Sequence, residues 1–128
     1  MDELVSLIST KVGIDAALAR RAIGIVLAFL QREGPADEVN ALIAALPGAE
    51  QAIIDSQSAP QGGIIASLGS LMGGGGIMAL GSELTALGLS MGQMQTLGRE
   101  LFAYGREKAG EDVMGPIVGS IPGLAQFV

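Results

Sequence analysis

The stretch that decides the fold is residues 12–53, which read VGIDAALARRAIGIVLAFLQREGPADEVNALIAALPGAEQAI. Shifted by 75 positions, it aligns without a gap with residues 87–128, which read LGLSMGQMQTLGRELFAYGREKAGEDVMGPIVGSIPGLAQFV. Gly13 recurs as Gly88, and an apolar set followed by Pro-Gly recurs near the end of each stretch: Val39, Leu42, Ile43 and Leu46 align with Met114, Ile117, Val118 and Ile121. An ungapped match of this length predicts an internal repeat.

The repeat also predicts how the chain is organised. We expect a single domain over residues 1–128, made of two related units at residues 1–55 and 77–128. Residues 56–76 are rich in glycine and are interpreted as a connector between the units. Each unit alone would leave an apolar face in water, so we expect the two to cover each other with pseudo-two-fold symmetry.

Composition favours an all-α fold, a compact helical bundle. The chain is 49% hydrophobic but only 3% aromatic, and it has 20 glycines, which suits closely packed helices better than a β-sandwich. Apolar residues recur at helical spacing through both units. The predicted helices cover residues 3–12, 15–32, 37–46 and 52–54 in the first unit, and 78–87 and 90–108 in the second, followed by a third helix there.

Individual residues refine this prediction. Asp15 and Ser90 stand where the two long helices should begin, as N-caps. Pro116 predicts that the third helix of the second unit kinks or begins later than its counterpart. Gly98 and Gly105 are seven residues apart on one helix face, which predicts a close approach by another backbone.

The two long helices are expected to form the central pair of the core. Residues 22–30 of the first are apolar nearly all round, which is typical of a helix covered on every side.

The sequence argues against several classes of function. It has no histidine and no cysteine, and its net charge is −6. No lysine or arginine occurs between Arg32 and Arg99, so half of the chain lacks the clustered cations that nucleic-acid binding needs. The glycine runs also lack the lysine of a phosphate-binding loop. The acidic doublets at residues 2–3, 37–38 and 111–112 are interpreted as structural. Those at 37–38 and 111–112 stand at equivalent helix starts, where negative charge favours the helix dipole and side-chain oxygens are expected to cap free N–H groups. We therefore predict no enzyme activity and no catalytic, cofactor-binding or metal-binding residues.

The location of the protein is inferred from its charges. The N-terminal sequence MDEL has no positively charged region typical of a secretory signal, so a cytoplasmic site is expected. Residues 56–82 contain no charged residue, and the next charge along the chain is Glu83. This uncharged stretch is long enough to cross a bilayer. Membrane association through residues 56–82 is therefore kept as an alternative.

A candidate partner-binding face lies on the long helix of the second unit. Five of the six methionines fall beyond residue 70, and methionine either fills cores or lines adaptable binding surfaces. If that helix exposes Met91, Met94 and Leu101, these three form the face. The predicted function is a non-enzymatic interaction or scaffolding protein that binds a second copy or another protein. Besides membrane association, a carrier of a small apolar ligand is the other alternative.

Several motifs resemble a known family. The sequence DEL at residues 2–4, VGI at 12–14, LPGA at 46–49, the glycine-rich middle, and LTALGLS at 84–90 are similar to the small bacterial VcgC/VcgE-type family of unknown function. The first half is also similar to a wider bacterial helical domain of unknown function. The resemblance implies an all-helical fold and brings no catalytic residue, cofactor or partner.

Overall fold

The structure is a computed structural model that describes residues 2–57 and 76–121, and this part of the chain is all-helical, as predicted. It contains seven α-helices and a π-helical turn at Ser9–Gly13, with no strand in the described ranges. The helices are α1 (Asp2–Ile8), α2 (Ala16–Glu33), α3 (Ala36–Ala45), α4 (Ala49–Gln57), α5 (Gly76–Ala86), α6 (Met91–Ala109) and α7 (Glu111–Ser120). Most of the predicted connector, residues 58–75, lies outside the described residues.

The chain leaves the first helix of each unit in the same way. Gly13 has a φ of +82° and Gly88 a φ of +95°, a left-handed conformation that residues with a Cβ rarely adopt. The following N–H groups then bond back five residues: Ile14 N to Ser9 O over 3.1 Å, and Leu89 N to Leu84 O over 3.3 Å. Both glycines therefore end a helix, as their recurrence in the sequence predicts.

The two long helices begin at the predicted residues, but only one of the two N-cap side chains makes a capping hydrogen bond. Ser90 accepts a hydrogen bond from the N–H of Gln93, whose side chain accepts one from the N–H of Ser90, which completes a capping box. Asp15 occupies the N-cap position of α2, and its side chain makes no capping hydrogen bond.

Helix α2 is central, as its sequence predicts. From Ala22 to Leu30 every residue is buried except Ile25, which is half-buried. Helix α4 makes the most extensive contact with α2, while α1, α3 and α5 cover other parts of it. The small residues Gly24 and Ala28 are buried in α2 at a spacing of one turn, where a neighbouring helix can come close.

The expectation that the two long helices form the central pair is wrong. Within the described residues, α2 and α6 are not among the helix pairs that pack extensively. Helix α1 contacts both of them, and the π-helical turn packs on α6. The main partner of α2 is therefore α4, and α1 lies against both long helices.

Pro116 neither delays nor shortens its helix. α7 spans Glu111–Ser120, which is α3 (Ala36–Ala45) moved by 75 positions, so the prediction of a later start is wrong. Pro116 is exposed, so water can reach the backbone carbonyl that the proline leaves without an amide partner.

The glycine face of α6 is partly as predicted. Gly98 and Gly105 are both buried. A Cβ at Gly105 would lie 2.9 Å from Met114 Sδ and 3.2 Å from Leu42 Cδ1. The close approach is therefore made at Gly105 by side chains of α7 and α3, whereas the prediction had a backbone there.

Candidate interaction surface

The residues predicted to form a partner-binding face do not share one exposed surface. Met91 is 65% exposed in the first turn of α6, whereas Met94 is 4% and Leu101 is 3% exposed. Met94 and Leu101 face the core side of α6 together with Leu97, so the exposed stripe expected from the sequence is not formed. Met91 is exposed because it stands in the first turn, at the open N-terminal end of α6.

A second exposed apolar residue lies on α4. Ile54 is 52% exposed, and it and Met91 are the large hydrophobic residues that stand exposed in the described part of the chain. The buried face of α4 consists of Ala49, Ala52 and Ile53. The sequence contained a signal for the exposure of Ile54, because Ile54 follows Ile53 by one position and is turned about 100° away from it in a helix.

Polar groups converge at a groove between α1, the end of α3 and the end of α6. Tyr104 donates a hydrogen bond to Glu3 Oε2 over 3.5 Å, and Lys108 Nζ lies 5.5 Å from the centre of the Tyr104 ring. Pro47 and Ala45 complete the wall, and the groove holds about 390 Å³. Long contacts between accessible groups are weak, so the groove offers a tyrosine, a cation and a carboxylate to solvent without an activated nucleophile.

A second groove runs along the outer side of α1. It is lined by Ser6, Leu7, Thr10 and Lys11 together with the acidic residues at 2–3. Both grooves are open to solvent, so neither resembles the enclosed cavity that a carrier of an apolar ligand uses. The carrier alternative stays a prediction.

The acidic doublets occupy the first turns of α1, α3 and α7, as their positions predicted. At the start of α3 and of α7 no side-chain capping hydrogen bond is made, so the predicted capping is wrong there, and these carboxylates act through the helix dipole. The position of the acidic doublets at helix starts therefore explains their presence in the sequence.

One carboxyl group has a shifted pKa. Partial burial raises the pKa of Glu83, while the charge of Arg32 lowers it by a smaller amount. The two side chains are 3.9 Å apart and half-exposed, and they join the end of α2 to α5. A half-exposed ion pair of this length contributes little to stability.

Two further observations concern metals and membranes. Among the residues at 2–57 and 76–121, no group of three acidic side chains is close enough to hold a metal ion. In the same ranges, no helix has both the length and the apolarity needed to cross a bilayer. The predicted membrane segment at residues 56–82 lies largely outside the described residues; its described residues are 56–57, at the end of α4, and 76–82, in α5.

Comparisons of the chain with protein-family models, with curated proteins and with solved structures gave no match.

Proposed function

We propose that this protein is a non-enzymatic helical interaction protein that associates with further copies of itself. The observation that carries the proposal is the exposure of Met91 and Ile54. Where the structure describes the exposure of large apolar side chains, the others are buried or half-buried, whereas these two stand in water on separate helices. Contact with a second copy would remove both from solvent, and burial of an apolar side chain is favourable by about 1.5–3 kcal/mol.

The experiment is sedimentation velocity of the full chain, from low micromolar to submillimolar concentration. We expect the average mass to rise with concentration. Met91→Gln and Ile54→Gln should each shift the rise to higher concentration, and Ala44→Gln, at an exposed alanine of α3, should not. A wild-type chain that keeps the mass of one copy at every concentration would refute self-association.

A pseudo-two-fold relation between the units is part of the proposal, with residues 56–76 as the connector. Its support is that α3 corresponds in its bounds to α7 at the shift of 75, and α2 to α6 with a difference of one residue at the C-terminal end. The buried positions shared by the two long helices also correspond at this shift: Ala19, Ala22, Ile23, Val26, Leu27 and Leu30 to Met94, Leu97, Gly98, Leu101, Phe102 and Gly105.

The packing is reciprocal in part. α5, the first helix of the second unit, packs on α2, while α1 packs on both long helices and the π-helical turn on α6. α3 also packs on α6, and within the described residues α7 and α2 are not among the pairs that pack extensively. Helices α3 and α7, the third helices of the two units, pack on each other, and this symmetric contact supports a two-fold relation.

We also propose a cytoplasmic location, as expected above. Membership of the VcgC/VcgE-type family is proposed on the motifs given above and adds no activity. Cell fractionation tests the location: recovery of the protein with membranes would contradict it and favour the membrane alternative.

A further inference from the structure

Two exposed ridges stand on α4 and α6. On α6, Met91, Gln95, Arg99 and Ala103 follow one another at intervals of four residues, and all four are exposed. On α4, Glu50 and Ile54 are exposed at the same interval. Residues four apart form the ridges by which α-helices commonly pack against each other.

The two ridges are complementary in charge. The sequence of α4, AEQAIIDSQ, contains acidic residues and no basic one, whereas the α6 ridge carries Arg99. Within the part of the chain that the structure describes, neither Glu50 nor Arg99 forms an ion pair. Each ridge also carries one of the two exposed large apolar residues, Ile54 or Met91.

We propose that the α4 ridge of one protomer packs antiparallel against the α6 ridge of its partner, which is a second copy of this chain. One helical turn separates Glu50 from Ile54, and two turns separate Met91 from Arg99. In the antiparallel direction Ile54 therefore falls between Met91 and Gln95, while Glu50 falls between Gln95 and Arg99. This contact covers both exposed apolar residues and neutralises both charges, and it rests on the proposed self-association.

Charge reversal tests the pairing in the full chain. Arg99→Glu and Glu50→Arg each replace an attraction by a repulsion and should raise the dissociation constant by about tenfold. The double variant restores opposite charges and should recover most of the wild-type affinity. Lys108→Glu makes the same change in net charge on the same helix and should leave the affinity unchanged. Circular dichroism checks that each variant is folded.

The outcomes separate the two proposals. If the wild type is a monomer throughout, self-association fails and this contact with it. If the wild type associates but Arg99→Glu behaves like Lys108→Glu, or the double variant is not rescued, self-association stands and the α4–α6 contact is wrong.

Cross-linking tests which residues of the two copies lie close together. The chain has no cysteine, so single cysteines can be introduced without competing thiols. A mixture of the Ile54→Cys and Met91→Cys chains should form a disulfide-linked pair under mild oxidation. The same Ile54→Cys chain mixed with Thr85→Cys, at an exposed residue of α5, should form much less. Equal yields in the two mixtures would overturn the proposed contact.

Discussion

Gln93 joins the two units with one side chain. Its Nε2 atom donates a hydrogen bond to the backbone carbonyl of Val12 over 3.4 Å, while its Oε1 atom accepts one from the N–H of Ser90 over 2.9 Å. Val12 lies in the π-helical turn of the first unit, and Gln93 lies in the first turn of α6. The residue that caps the long helix of the second unit therefore also holds the end of the first helix of the chain.

This double role predicts different results for two substitutions. Gln93→Glu keeps the acceptor for the Ser90 N–H but cannot donate to Val12, so we expect a loss of about 0.5–1 kcal/mol in the free energy of unfolding. Gln93→Ala removes both bonds and should lose about 1–2 kcal/mol. Urea denaturation measures both. Gln95→Glu, an exposed change of the same charge on the same helix, is the control, and an equal loss there would show that the Val12 bond contributes nothing.

Two glycines of the second unit should respond to alanine with opposite signs. Gly88 has a positive φ, so Gly88→Ala should cost about 1–2 kcal/mol of stability. Gly81 lies inside α5, and a Cβ there would have no neighbour within 4 Å. Gly81→Ala should therefore raise the free energy of unfolding by about 0.5–1 kcal/mol. Thermal melts compare the two, and a shift of both variants in the same direction would contradict this account.

The packing at Gly105 predicts a coupled pair. Gly105→Ala gains helix propensity, but its Cβ meets Met114 and Leu42, so we expect a net loss of about 1 kcal/mol. At the equivalent positions of the first unit, Leu30 stands for Gly105 and Val39 for Met114. Met114→Val should therefore relieve the crowding. A double-mutant cycle in which the two losses simply add would show that the two side chains do not compete for space.

The raised pKa of Glu83 predicts a pH dependence. Because its protonated form is favoured in the folded protein, Glu83 adds to stability below its ordinary pKa of about 4.3, and this contribution is lost as the pH rises through the raised folded value. Glu83→Gln should therefore be more stable than the wild type at neutral pH and lose this advantage in acid. Glu107→Gln, at an exposed residue of α6, is the control. A lower stability of Glu83→Gln at neutral pH would mean that the attraction of Arg32 outweighs burial.

The candidate surface could be predicted only in part. The sequence pointed to Met91 on the correct helix, but it grouped Met91 with Met94 and Leu101, which are buried. A methionine at helical spacing can face either the core or water, and the choice depends on which helices pack nearby. Ile54 was placed in a short apolar helix, and its exposure depends on which side of α4 rests on α2.

Local sequence by itself determined that the chain is helical, where the two long helices begin and where the first helix of each unit ends. The recurrence of Gly13 as Gly88 placed the left-handed turns, Ser90 placed the start of α6, and the apolar run at residues 22–30 made α2 central. These features depend on backbone conformation and on hydrogen bonds between residues a few positions apart, so a single stretch of sequence contains the information. The tertiary structure alone decided that α1 packs on α6 and α5 on α2, in place of a direct pair of long helices. Leucine, isoleucine and valine attract without direction, so the sequence can require that an apolar face be covered but cannot specify which helix covers it.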